Sequence, residues 1–245
     1  MKHYNTGIPS CNLIKEKFNP KRAFRAQKIL RNRVIEETRI NSIDTIGGVD
    51  LAYDPARSLG VGVLTLMRYP TLELAGCFYT VTRICIPYIP GLLAFREMPP
   101  ITLLIGYTRK KRLAPDVLLV DGHGKAHPRG LGIASHVGVV FDIPSIGVAK
   151  KRLIGIERGD IVVNEEGEVI ARILRRGKSK IYVSVGNRVS LEDAVKIVET
   201  TWVKGKLPKP LLIADYLTKK LKKNLTRSMI AKVHQCPHQL DTILQ

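Results

Sequence analysis

Val117-Leu118-Leu119-Val120 has no polar side chain on either face. Successive residues of a strand point to opposite sides of a sheet, so this run must be covered on both. Ser145-Ile146-Gly147-Val148-Ala149 has the same character. Two such strands demand layers above and below the sheet. The predicted class is α/β, with a mixed central β-sheet flanked by α-helices. The chain of 245 residues, 44% of them hydrophobic, can bury that core as one domain spanning 1–245. No apolar run reaches the ~20 residues of a membrane span, so none is expected.

Turn and cap residues divide the rest. Asn19 caps and Pro20 starts a helix over about 20–38, where Ala23, Ala26, Leu30 and Val34 recur at helical spacing. Ile46 to Tyr53, Gly60 to Arg68 and Leu72 to Cys85 read as strands of an antiparallel meander, with turns at Asp54-Pro55 and Tyr69-Pro70. Pro87-Tyr88-Ile89-Pro90-Gly91 ends the meander. A helix follows from about Leu92 to Gly106, kinked or interrupted by Pro99 and Pro100. Gly132 to Val140 is helical. Glu168 to Leu174 and Lys180 to Gly186 form a hairpin. Ser190-Leu191-Glu192-Asp193 resembles a capping box for a helix to Trp202. Pro208 and Pro210 precede a last helix to Lys223. The tail, about 224–245, carries no pattern and is expected to be loose.

Lys and Arg number 40 against 21 Asp and Glu, a formal charge of +19. Ion-pair networks need both signs, so this excess points to a polyanion, DNA or RNA first. Acids are scarce, and three of them stand at the ends of apolar segments. Asp50 closes Ile46-Gly47-Gly48-Val49, Glu97 follows Leu92-Leu93-Ala94-Phe95-Arg96, and Asp121 ends the Val117 run. An acid among apolar residues costs desolvation unless it is paired or bound to metal. Singly, each has an ordinary reading as a turn, helix-surface or loop residue. Together they predict a divalent-metal site, because Mg²⁺ takes oxygen ligands and serves phosphodiester cleavage. Asp215 reads either as a fourth ligand or as a helix residue paired with Lys219 at i+4. Spacing does not choose between the two.

Asp121-Gly122-His123-Gly124-Lys125-Ala126-His127-Pro128-Arg129-Gly130 reads as a loop with exposed backbone donors. Gly there lets the backbone approach a base or phosphate, and His127 is placed to orient water or a leaving group. His123 and His136 read as packed or solvated. A zinc site from His123 and His127 lacks neighbouring Cys partners. His234 to His238 holds metal-capable residues in the loose tail. Cys11, Cys77, Cys85 and Cys236 form no CxxC pair, and Met1 to Asn5 has no secretory apolar core. Reduced thiols in a cytoplasmic protein are therefore expected.

An ordered set of segments resembles the endonuclease V family. These are Gly48 to Tyr53, Pro87 to Glu97, Val120 to Gly124 with Ala126 to Arg129, Ile146 to Lys151, and Tyr182 to Gly186. The resemblance covers roughly Pro20 to Lys223. It implies a ribonuclease H-like fold and a Mg²⁺-dependent DNA repair endonuclease, with Mn²⁺ as a substitute. The family cuts one strand at the second phosphodiester 3′ to hypoxanthine. By motif match, Asp50, Glu97 and Asp121 become catalytic metal-binding acids, and Lys150 the active-site lysine. The family has His or Asp at the position of Asp215, which implies a metal-side role. Pro87, Tyr88, Ile89 and Pro90 match the strand-separating wedge. Gly91, Leu93, Gly122, Gly124, Gly132, Ile133, Ala149 and Leu153 match the pocket for the flipped base. Val185 and Asn187 stand where many bacterial members have Pro and His.

The implied partner is hypoxanthine-containing DNA, or inosine-containing RNA, met by a monomer. Two other classes share parts of the pattern. A different ribonuclease H-like nuclease, such as an inosine-specific ribonuclease or a junction resolvase, would use the acids without the Tyr88 wedge. A non-catalytic nucleic-acid-binding protein would use the charge and have no need of clustered acids.

Overall fold

The computed structural model describes residues 11–237. A short helix α1 (Cys11–Lys17) precedes α2 (Pro20–Arg31). The Asn19 side chain accepts from the Arg22 amide at 3.1 Å, as its capping role requires. Helix α2 ends at Arg31, short of the expected 38. The chain beyond it is pulled onto the sheet instead: the Ile35 amide donates to Asn187 Oδ1 at 3.0 Å and the Arg39 amide to the Arg188 carbonyl at 3.2 Å. Asn187 is 2% exposed and also donates to the Gly138 carbonyl. It is engaged in holding the fold.

The meander is β1 (Thr45–Asp54), β2 (Leu59–Arg68) and β3 (Leu74–Arg83), paired antiparallel. Helix α3 (Leu93–Lys110) returns the chain to β4 (Val117–Asp121), parallel to β1. The helix continues through both Pro99 and Pro100, contrary to an interruption. Gly62 on β2 lies under Pro100, where a side chain would crowd the ring. Helix α4 (Ile133–Phe141) leads to β5 (Ser145–Ala149), parallel to β4. Strands β6 (Ile156–Arg158), β7 (Ile161–Val163), β8 (Val169–Arg176) and β9 (Ser179–Asn187) form an antiparallel extension beyond β5. Helices α5 (Leu191–Thr201) and α6 (Lys209–Lys222) follow. Ser190 caps α5 by accepting from the Asp193 amide.

The tail is not loose throughout. Strand β10 (Val233–Gln235) pairs with β3 and completes a ten-stranded sheet of order β10-β3-β2-β1-β4-β5-β9-β8-β7-β6. The sheet is mixed and flanked by helices, as expected: β4 and β5 run parallel to β1, and the remaining strands pair antiparallel. The cysteines also correct the expectation of free thiols. Cys77 pairs with Cys236 across Cα atoms 5.2 Å apart, and Cys11 with Cys85 across 4.7 Å. Both separations fall within disulfide reach. Linear spacing could not reveal this: the β10–β3 pairing brings Cys236 to Cys77, and Cys11 on α1 meets Cys85 beyond the end of β3 only in the folded chain.

The two faces of the central strands separate cleanly. Ile46, Val117, Leu119, Ile146 and Val148 pack with Trp202, Leu211 and Leu217 on the side of α5 and α6. Val49, Leu118 and Val120 pack with Leu104, Ile105 and Val137 on the side of α3 and α4. Among the described residues no helix is long and apolar enough to cross a membrane. His238 lies outside the described residues.

Candidate active site

Strand parity sets the site. Val49 pairs with Val120 in the parallel β1–β4 ladder, so Asp50 and Asp121 emerge side by side one residue later. Asp121 in turn pairs with Val148, two residues before Lys150. Asp50 shares its face with Ile46, Asp121 with Val117 and Leu119, and Lys150 with Val148, so all three belong to the α6 side. Helix α6 brings Asp215 to the same place. It docks unusually close to β1 at Gly48, where an added Cβ would lie 2.5 Å from the Pro210 carbonyl carbon. Thr65 fastens the contact by donating to the Pro210 carbonyl at 2.9 Å.

Carboxylate oxygens of Asp50, Asp121 and Asp215 consequently all lie within 4.8 Å of one another. Three anionic oxygen donors at that spacing suit a hard divalent cation. Lys150 Nζ meets the same need in the structure, donating to Asp121 at 2.6 Å and Asp215 at 2.8 Å. Lys219, one turn along α6, pairs with Asp215 at 2.5 Å. Asp215 is thus both a member of the acidic group and the i+4 partner of Lys219. Thr218 is fully buried and donates to Asp50 Oδ2 at 2.6 Å. Glu97 comes from α3 in the opposite layer and lines the same cleft of about 280 Å³.

The electrostatics are those of crowded acids. Burial, then the Asp121 charge, pushes Asp50 up to about 7. Burial likewise raises Glu97 to about 8, opposed by the adjacent Tyr53 and reinforced by Asp50 and Asp121. Burial also acts to raise Asp215, but Lys150 and Lys219 outweigh it and hold this carboxyl below its ordinary value. Lys150 is desolvated too, yet its bonds to Asp121 and Asp215 raise it. Like charges disfavour joint ionisation, and a bound cation removes that penalty.

A scan against protein families finds the Endonuclease V model over residues 28–216. The chain belongs to the endonuclease V family. Endonuclease V of Ignicoccus hospitalis is 45% identical over 214 residues, covering 85% of this chain and 98% of that one. The Aeropyrum pernix endonuclease V is 43% identical over 209 residues, covering 84% and 81%. Human ENDOV superposes with a TM-score of 0.78 at 30% identity, covering 84% of this chain and 98% of that chain. Ciona intestinalis endonuclease V, solved in complex with a 24mer DNA containing an inosine followed by a ribo-adenosine, superposes at 0.76 with 29% identity, covering 84% and 99%.

The remaining family-matched positions lie elsewhere. Tyr88 is 65% exposed, between the exposed Pro87 and Pro90, on the segment joining β3 to α3. Ile133 and Ala149 are buried, and Leu153 is half exposed. The glycine loop after β4 is mostly buried, and many of its backbone donors are engaged. Gly122 donates to the Val148 carbonyl, Gly124 to Ser184 Oγ and Gly132 to the Gly124 carbonyl. That differs from an exposed loop because β5 and β9 supply partners that local sequence cannot show. His127 is outside the acidic cleft and lines a separate cavity of about 550 Å³ with Arg31, Lys125 and Ile154. Burial, then the Arg129 charge, lowers it to about 4.

Thr218 was not anticipated. Its one sequence signal is its place three residues after Asp215 on an amphipathic helix.

Proposed function

We propose that this chain is a DNA repair endonuclease that hydrolyses the second phosphodiester 3′ to hypoxanthine in one strand, with Mg²⁺ as its ion and Mn²⁺ as a substitute. The observation that carries the reading is the group of Asp50, Asp121 and Asp215 oxygens within 4.8 Å, with Lys150 bridging Asp121 and Asp215. Membership of the family and the inosine-containing DNA bound by the Ciona intestinalis relative support the substrate.

Asp50, Asp121 and Asp215 are the residues to hold the ion, with Glu97 in the same cleft. A bound divalent cation supplies an activated water and neutralises charge on the phosphate. Thr218 holds Asp50 Oδ2 and fixes the orientation of that carboxylate. Lys150 and Lys219 place two positive charges where phosphate oxygens must enter, and Lys150 counters charge as the bond breaks. Glu97 adds a fourth carboxylate to the lining of the cleft and helps fix the ion. Tyr88 offers a flat exposed ring to the gap left by an extruded base. Gly91, Leu93, Gly122, Gly124, Gly132, Ile133, Ala149 and Leu153 form the receiving pocket. His127 acts from outside the cleft.

The deciding experiment is strand cleavage of matched inosine-containing DNA and RNA, with the cut position mapped and Mg²⁺ replaced by EDTA in parallel. Cutting one phosphodiester beyond the inosine's own 3′ bond, lost in EDTA, is expected. Equal cutting of inosine-free strands would favour another ribonuclease H-like nuclease. Cleavage that persists in EDTA would remove the metal scheme.

A further inference from the structure

The carbonyl oxygen of Gly91 receives three hydrogen bonds. Gln27 Nε2 donates at 2.9 Å, Arg129 Nη2 at 2.6 Å and His127 Nε2 at 3.2 Å. A carbonyl has two lone pairs, so this acceptor is saturated. Gly91 itself is left-handed at φ +77°, and the Leu92 amide closes a turn back to the Ile89 carbonyl at 2.9 Å. This residue is the joint between the projecting segment 87–90 and helix α3, which carries Glu97.

Gln27 is the centre of the arrangement. It is 1% exposed although polar, and it lies on α2, far from the site in sequence. Its Oε1 accepts from Arg129 Nε at 2.6 Å, and its Nε2 also reaches the Leu131 carbonyl at 3.4 Å. One amide therefore ties the Gly91 joint, the Arg129 side chain and the loop before α4. Arg129 is further fixed by stacking over Phe24 at 4.4 Å, from the same helix α2. His127 completes the group with its Nδ1 accepting from the Arg129 amide at 3.2 Å, which leaves Nε2 to donate. Burying a primary amide is costly unless its bonds are made. Here all three are made, two of them to backbone carbonyls and one from Arg129, so the amide is committed to the joint.

We propose that Gln27 is a positioning residue for strand opening: by fixing the Gly91 carbonyl it sets the angle at which residues 87–90 meet a duplex. The inference rests on the reading of that segment as the strand-separating wedge. Gln27 touches no reacting atom. Its effect is expected to fall mainly on the work of opening a paired substrate.

The test compares single-turnover cleavage of inosine in a fully paired duplex with cleavage of the same inosine in a pre-opened bubble. Gln27→Leu removes all three bonds. Gln27→Glu keeps the Arg129 bond and loses both donated ones, so it reports even where the leucine variant does not fold. In each folded variant the duplex-to-bubble ratio is expected to fall about tenfold, in line with the cost of small misplacements. Equal loss on both substrates, or no loss, overturns the proposal. Tyr88→Ala is run alongside. If it lowers the ratio and the Gln27 variants do not, the joint is wrong and the wedge stands. If Tyr88→Ala leaves the ratio unchanged, the wedge reading has failed and takes the proposal with it.

Discussion

Thr218 Oγ1 donates to Asp50 Oδ2 at 2.6 Å, from helix α6 to strand β1. The hydroxyl is fully buried, and its single proton also lies within reach of the Asp215 backbone carbonyl, 3.0 Å away on the same helix. It therefore ties the Asp50 carboxylate to the turn of α6 that carries Asp215. Removing a partner of this kind commonly costs about 10–100-fold in metal affinity. Thr218→Val keeps the volume and deletes the donor. Its half-saturating Mn²⁺ concentration, read by calorimetry and by cleavage, should rise about tenfold, and Thr218→Ser should restore it. An unchanged Mn²⁺ titration in the valine variant would sink this role.

Lys150 has two opposed effects. Its ammonium bridges Asp121 and Asp215 and so competes with a cation for the same oxygens. During hydrolysis its charge faces the phosphate. Lys150→Met should therefore bind Mn²⁺ at least as tightly as the parent while cleaving about 10²–10³-fold more slowly. Weaker metal binding in this variant would show that the lysine supports the ion instead of competing with it.

Part of this site was legible in the sequence and part was not. Asp50 and Asp121 could be read because each ends an apolar strand, and strand parity alone assigns their face. Glu97 was read with them because it too ends an apolar segment, although nothing local shows that its helix lies in the opposite layer. Lys150 needed the family resemblance, since a lysine after a strand has many other uses. Asp215 stayed ambiguous because its position depends on how closely α6 docks at Gly48, a tertiary fact. Gln27 looked like any polar residue of a basic helix, and its burial is decided by Gly91, 64 residues away. Strands β6 and β7, three residues each, are too short for an alternation pattern to register. Strand β10 exists because β3 offers an edge.

Glu97 makes stability depend on pH in a defined direction. Its carboxyl is raised from 4.5 to about 8 by burial, so the folded protein prefers it protonated. That contribution is fully present below about 4.5 and is lost as pH rises through about 8. Glu97→Gln removes the dependence. In EDTA the glutamine variant should gain stability over the parent between pH 5 and 9, by an amount on the order of a few kcal/mol, while cleavage is lost. Divalent ion should narrow the gap by favouring the ionised parent. Parallel melting-temperature curves for the two proteins over that range would refute the assignment.

Gly48→Ala tests whether the docking of α6 builds the acidic cluster. The new Cβ would sit 2.5 Å from the Pro210 carbonyl carbon and 2.6 Å from Pro210 Cβ. Neither backbone nor a proline ring can yield at that distance, so α6 must move away from β1. Overpacking of this sort costs about 1–3 kcal/mol, which corresponds to a fall in melting temperature of roughly 5 °C for a chain of this size. The same movement withdraws Asp215 and Thr218 from Asp50. Mn²⁺ affinity and cleavage should then fall together in Gly48→Ala, and both should recover only if α6 is allowed to return. An alanine variant that melts lower but binds Mn²⁺ and cuts normally would mean that the cluster tolerates displacement of the helix, and that Asp215 is dispensable for holding the ion.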